Sequence, residues 1–122
     1  MKPKSISGLI YFVSDTKKTA EFYEKLGFII TRRDREQVSV RINWFWIDFL
    51  VADAMTPPKS PEQMVSSQFL YINVVDVDQT HKDLIKRGIT SVSEPQDYKS
   101  GRREVMISDP DGYKLVFFQK IK

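Results

Sequence analysis

One short stretch concentrates the residues best able to do chemistry: Trp44-Phe45-Trp46-Ile47-Asp48. In an extended chain, alternation puts Trp44, Trp46 and Asp48 on one face and Phe45, Ile47 and Phe49 on the other. Two indoles beside a carboxylate could stack a flat ligand while the acid accepts a hydrogen bond, meets a cation or takes up a proton. A carboxylate among rings must be paired, be hydrogen-bonded or have its ionisation shifted by desolvation. Arg41 and Lys114 are its candidate partners. Other chemistries are excluded. The chain has no cysteine, which removes disulfides, thiolate metal sites and cysteine nucleophiles together. Its one histidine, His81, falls in the middle of a helical pattern and is expected to be an ordinary helix-face residue.

The elements that must position these residues are written twice. Gly8-Leu9-Ile10-Tyr11-Phe12-Val13-Ser14-Asp15 precedes a helical stretch ending at Leu26-Gly27, and Phe69-Leu70-Tyr71-Ile72-Asn73-Val74-Val75-Asp76 precedes one ending at Arg87-Gly88. Each aspartate lies 12 residues before its glycine, and the copies are offset by 61. Asp15 and Asp76 suit helix N-caps, and Gly27 and Gly88 suit the left-handed position just past a helix end. Ala20, Tyr23 and Leu26 form an apolar stripe on the first helix, and Val77, Leu84 and Ile85 one on the second. Strand-like runs follow each helix: Phe28–Arg33, Gln37–Asn43 and Trp44–Val51, then Thr90–Ser93, Arg103–Ser108 and Tyr113–Gln119. Asp109-Pro110-Asp111-Gly112 marks a tight turn.

This order predicts an α+β fold in which two βαβββ modules form a curled mixed sheet around a cup, with the helices on the outer faces. Three consecutive strands after each helix argue against a ferredoxin-like sandwich. At 122 residues the chain is expected to be a single domain. Its modules span about 6–53 and 67–120, joined by a proline-bearing linker over 54–66. Alternation gives the cup Gly8, Ile10 and Phe12, then Phe69, Tyr71 and Asn73, then Glu104 and Met106, and finally Lys114, Val116 and Phe118. The expected ligand-binding set is Phe12, Trp44, Trp46, Asp48, Phe69, Tyr71, Met106, Val116 and Phe118, an aromatic lining with few polar groups.

Composition bounds the partners. The formal net charge is +3, the pI about 9.1, and the basic residues are scattered rather than gathered into a stripe with interleaved aromatics. No nucleic-acid partner is expected. No apolar run approaches spanning length, and none follows Met1-Lys2-Pro3-Lys4-Ser5 as a signal core, so a cytoplasmic protein without a membrane partner is expected.

Asp15 with Phe22-Tyr23-Glu24-Lys25-Leu26-Gly27-Phe28 resembles the first helix of the vicinal oxygen chelate superfamily of glyoxalases, extradiol dioxygenases and bleomycin-resistance proteins. Asp109-Pro110-Asp111-Gly112-Tyr113 resembles its last hairpin, and the likeness runs from about Ile6 to Gln119. Metalloenzymes of that superfamily hold a divalent ion with four side chains. The resemblance carries those positions onto Gly8, Asp48, Phe69 and Val116. One carboxylate among hydrogen, benzyl and isopropyl groups cannot replace four donors, so neither a metal nor another cofactor is expected.

Val40 to Asp48 and Arg102-Arg103-Glu104 are similar to the metal-free bleomycin-resistance branch. That likeness implies a homodimer that sequesters a small aromatic drug or metabolite, as in antibiotic resistance, without catalysis. The basic pI favours a neutral or anionic compound over cationic bleomycin. The alternative is a metal-independent isomerase or lyase, with Asp48 as general base and Tyr71 or Lys114 stabilising developing charge. A third reading is a partner-binding module whose cup is filled by its own side chains.

Overall fold

A computed structural model describes residues 1–51 and 68–121, so the linker expected over 54–66 lies outside the described residues. The chain divides into two units, Met1–Ser66 and Ser67–Lys122. Each carries one β-α-β-β-β module.

In the first unit β1 (Gly8–Val13) leads into α1 (Thr16–Lys25), then β2 (Ile29–Arg33), β3 (Gln37–Ile42) and β4 (Phe45–Val51). The sheet order is β1-β4-β3-β2, with β1 parallel to β4 and the other pairs antiparallel. In the second unit β5 (Phe69–Asn73), α2 (Val77–Lys86), β6 (Gln96–Tyr98), β7 (Arg102–Ser108) and β8 (Lys114–Lys120) give the order β5-β8-β7-β6. Here too the first strand runs parallel to the last. The expected α+β pair of βαβββ modules is what the chain builds, as two four-stranded mixed sheets.

The helix ends obey their local code. Asp15 accepts from the backbone N–H of Lys17 at 2.9 Å and of Lys18 at 3.3 Å, and Asp76 accepts from that of Gln79 at 3.1 Å. Past α1, Gly27 takes φ +90°, and the amides of Gly27 and Phe28 return to the carbonyls of Glu24 and Tyr23. Past α2, Gly88 at φ +83° and Ile89 return to Ile85 and Leu84 in the same way. This paired closure needs one residue with positive φ, which is why glycine holds the position. Asp109 also caps its turn, accepting from the N–H groups of Asp111 and Tyr113, each at 2.9 Å.

Each sheet buries the face that its helix covers. In the first unit Tyr11, Val13, Ile47 and Phe49 pack under Ala20 and Tyr23 of α1. Phe49 lies 4.6 Å from Tyr23 and 5.9 Å from Tyr11, ring centre to ring centre. In the second, Val105, Ile107, Leu115 and Phe117 pack under Val77 and Leu84 of α2, while Ile85, expected on the buried stripe, is exposed.

Two strand expectations are corrected. Asn43 and Trp44 form the two-residue turn between Ile42 and Phe45, with Asn43 at φ +53°, so Trp44 precedes β4 instead of starting it. Asparagine tolerates that left-handed conformation better than most residues. Residues 90–93 are not a strand; the third-last strand is β6, at Gln96–Tyr98. The serines explain this. Ser93 Oγ accepts from Met106 N at 2.8 Å and Ser91 Oγ from Ser108 N at 3.0 Å, taking the place of backbone carbonyls beside β7. Pro95, which has no N–H, then precedes β6.

Candidate ligand cleft

The face of the second sheet turned away from α2 holds a cleft of about 460 Å³. Alternation along four strands builds its walls. β5 supplies Phe69 and Tyr71, β8 supplies Val116, β7 supplies Arg102, Glu104 and Met106, and β6 supplies Gln96 and Tyr98; Ser93 and Ser100 complete the lining. Phe69 is 51% exposed and Tyr71 45%, although neighbouring Val116 is buried. Large rings left bare on a sheet face, around a cavity of this size, are suited to burying a flat ligand.

The polar groups of the cleft are tied to one another. Arg102 Nε donates to Glu104 Oε2 at 3.1 Å, with the Glu104 side chain only 12% exposed. The Arg102 guanidinium carbon lies 5.2 Å from the centre of the Tyr71 ring and 5.9 Å from that of Phe118, both within cation–π range. Those two rings meet edge to face at 5.7 Å. Tyr98 donates its hydroxyl proton to Gln96 Oε1 at 3.0 Å. At the Phe69 end, Lys114 Nζ donates to Ser108 Oγ at 2.6 Å.

Of the nine residues expected at the site, Phe69, Tyr71, Met106 and Val116 line this cleft, and Phe118 stands beside Arg102. Phe12, Trp44, Trp46 and Asp48 belong to the first unit. There Trp46 lies over Gly8, its register partner, so that a β-carbon on Gly8 would fall inside the indole. Asp48 pairs with Ile10 and Ser39, and Ser39 pairs with Arg32. Among the described residues of its own unit, Asp48 takes no hydrogen bond or ion pair from Arg41. Arg32, two strands away in the register, is bound to Asp34 at 2.6 Å. His81 sits on α2 with Nε2 4.0 Å from Glu94 and does not line the cleft.

Sequence reasoning missed Ser93, Gln96, Tyr98, Ser100 and Arg102 as lining residues. Gln96 and Tyr98 were hidden by placing the third-last strand too early. Arg102 was hidden by starting β7 one residue late, since the spacing from Glu104 and Met106 already puts it on their face.

The superfamily's metal positions can be tested against the residues present. Gly8 offers no side-chain donor and is covered by Trp46, while Phe69 and Val116 are hydrocarbon. Asp48 alone has oxygen ligands. No group of three or more His, Asp or Glu side chains close enough to hold a metal occurs among the described residues. This donor set does not fit a divalent ion.

Paired βαβββ modules, each with its helix on one face of a four-stranded sheet, define the class of fold. The model of the Glyoxalase/Bleomycin resistance protein/Dioxygenase superfamily matches residues 5–117, and the chain belongs to that superfamily. A glyoxalase/bleomycin resistance protein/dioxygenase from Nocardioides superposes with a TM-score of 0.80 at 18% identity, over 100% of this chain and 87% of that one. A lactoylglutathione lyase from Agrobacterium tumefaciens gives 0.77 at 16% identity, over 98% and 96%. A bleomycin-binding protein complexed with bleomycin gives 0.72 at 21% identity, over 96% and 99%. At these identities the likeness is one of fold. No curated protein matched the sequence. No helix among the described residues is long and apolar enough to cross a membrane.

Proposed function

We propose that the protein binds a small, flat aromatic drug or metabolite in the second unit's cleft, without a metal ion or other cofactor, and sequesters it unchanged. The observation that carries this reading is the cleft itself, about 460 Å³ and lined by exposed Phe69 and Tyr71. The lack of any donor side chain at three of the four metal positions, glycine at one and hydrocarbon at two, supports the metal-free part. A neighbour in fold that binds bleomycin supports sequestration as a use of this fold. Phe12, Trp44, Trp46 and Asp48 offer a stacking surface on the first unit, with Trp44 68% and Trp46 39% exposed. The protein works as a cytoplasmic homodimer in this reading, with no nucleic-acid or membrane partner.

The test is calorimetric titration of the chelator-treated full chain with planar aromatic compounds, alongside a Met106→Trp variant that fills the cleft. Saturable binding to the parent that is lost in the variant, with no product formed, is expected. Undiminished binding to the filled cleft, or a stoichiometric zinc, iron or manganese required for binding, would refute the reading. Native mass spectrometry of the same sample reports the dimer.

One observation favours a second reading. Asp48 lies on its sheet face without a hydrogen-bond or ion-pair partner among the described residues, as a general base awaiting a substrate proton would. Turnover that survives chelator and disappears in Asp48→Asn would establish a metal-independent isomerase or lyase.

A further inference from the structure

The cleft reading leaves the ligand's polar chemistry open, and the wall around Arg102 narrows it. Only Nε of this guanidinium is engaged, by Glu104. Among the described residues Nη1 and Nη2 carry no hydrogen bond, and Arg102 lines the cleft. Its plane is held in place by the ring faces of Tyr71 and Phe118 and by the Glu104 carboxylate. A fixed guanidinium with two terminal donors matches the two oxygens of a carboxylate, which a flexible ammonium does not.

The charge around it has the same sense. The register puts Arg102 beside Lys120 and Tyr98, and puts Lys114 beside Phe69 and Ser108. The strand residues of this face therefore carry three cations, Arg102, Lys114 and Lys120, against one carboxylate, Glu104. The rings meanwhile require a flat apolar body next to the anion. Tyr71 serves both needs, since its face supports the guanidinium while its exposed part remains open to the cleft.

We infer that the ligand of this cleft is an aromatic carboxylate, with its ring system on Phe69 and Tyr71 and its carboxylate received by the terminal nitrogens of Arg102. This rests on the cleft reading above and goes beyond it by assigning the ligand's charge and the residue that selects it. Arg102 is a specificity-determining residue in this assignment, and Glu104 is the positioning residue that orients it.

Three probes that share one ring system and differ in charge test the inference on the full chain: naphthoate, naphthamide and naphthylmethylammonium. Calorimetry measures their affinity, and the NMR shift of the Met106 methyl reports whether each enters the cleft. Naphthoate should bind at least about tenfold more tightly than the amide, a margin a charge-assisted contact readily supplies. Added salt should weaken naphthoate and leave the amide unchanged. Arg102→Gln should bring naphthoate down to the amide's affinity while the amide still shifts Met106. Arg102→Lys should recover only part of the preference. The salt comparison needs no variant and stands even if Arg102→Gln fails to fold. Equal affinity for naphthoate and naphthamide, with both shifting Met106, would overturn the carboxylate assignment and leave the cleft standing. Tightest binding of the ammonium would overturn it in favour of Glu104. No shift of Met106 with any probe would overturn the cleft reading itself.

Discussion

The two modules share a backbone plan and differ in what they place on the helix-free face. In both, the first strand runs parallel to the last in a matching register, so Gly8 sits beside Trp46 where Phe69 sits beside Lys114. The first module lays an indole over a glycine; the second leaves its ring bare, while the lysine turns to Ser108. One row further along, Ile10 and Asp48 in the first module match Tyr71 and Val116 in the second, and then Phe12 and Leu50 match Asn73 and Phe118. A repeated backbone thus carries an indole laid on glycine in one module and a cleft in the other, through the side chains at a few register positions.

The comparison is broken most strongly from beneath the sheets. Phe49 and Phe117 are buried counterparts, but among the described residues only Phe49 packs within a cluster of tyrosine rings. Phe49→Ala should cost about 3–5 kcal/mol in chemical denaturation. Phe117→Ala should cost less, because its aliphatic surroundings can close in further. A Phe49→Ala cost under about 1 kcal/mol would mean that the ring cluster does not hold the first module.

Next in size is Gly8→Phe, which gives the first module the second's residue. The new ring needs the space Trp46 occupies, so Trp46 should swing outward and stability should fall by about 1–3 kcal/mol. Tryptophan emission in a Trp44→Phe background should shift to longer wavelength. An unchanged spectrum would contradict the Gly8–Trp46 contact.

The outer strands give a smaller effect. In the first module β2 and β3 pair through the backbone, with one irregularity between Ile30 and Arg32. The second relies on Ser91 and Ser93 for part of the equivalent pairing. Ser93→Ala should cost about 0.5–1.5 kcal/mol, and Ser93→Thr, which keeps the hydroxyl, should recover most of it. Equal losses in both variants would assign the effect to packing.

The smallest effect belongs to the β2–β3 turn. The Arg32 guanidinium and the amides of Glu36 and Gln37 hold the Asp34 carboxyl below its ordinary range. A lowered carboxyl stabilises the fold at neutral pH, and that contribution is lost as pH falls through the lowered value. Asp34 is exposed and solvent screens it, so thermal melts of Asp34→Asn should drop slightly at neutral pH. The difference from the parent should vanish in strong acid; one that persisted there would rule out ionisation as the cause.

Local codes in the sequence were sufficient for the frame of this protein. The aspartate-to-glycine spacing set both helices, because an N-cap and a left-handed closure act within a few residues of themselves. Alternation set which side chains share a face, and at the positions the family resemblance supplies, the missing donors at Gly8, Phe69 and Val116 needed no coordinates to see. What the tertiary structure alone decided depends on groups distant in sequence. Serine hydroxyls substitute for a strand beside β7, Trp46 covers Gly8 across 38 residues, and Arg102 settles over rings supplied by β5 and β8. Such contacts join strands that local pattern describes one at a time, and only their register brings the groups together.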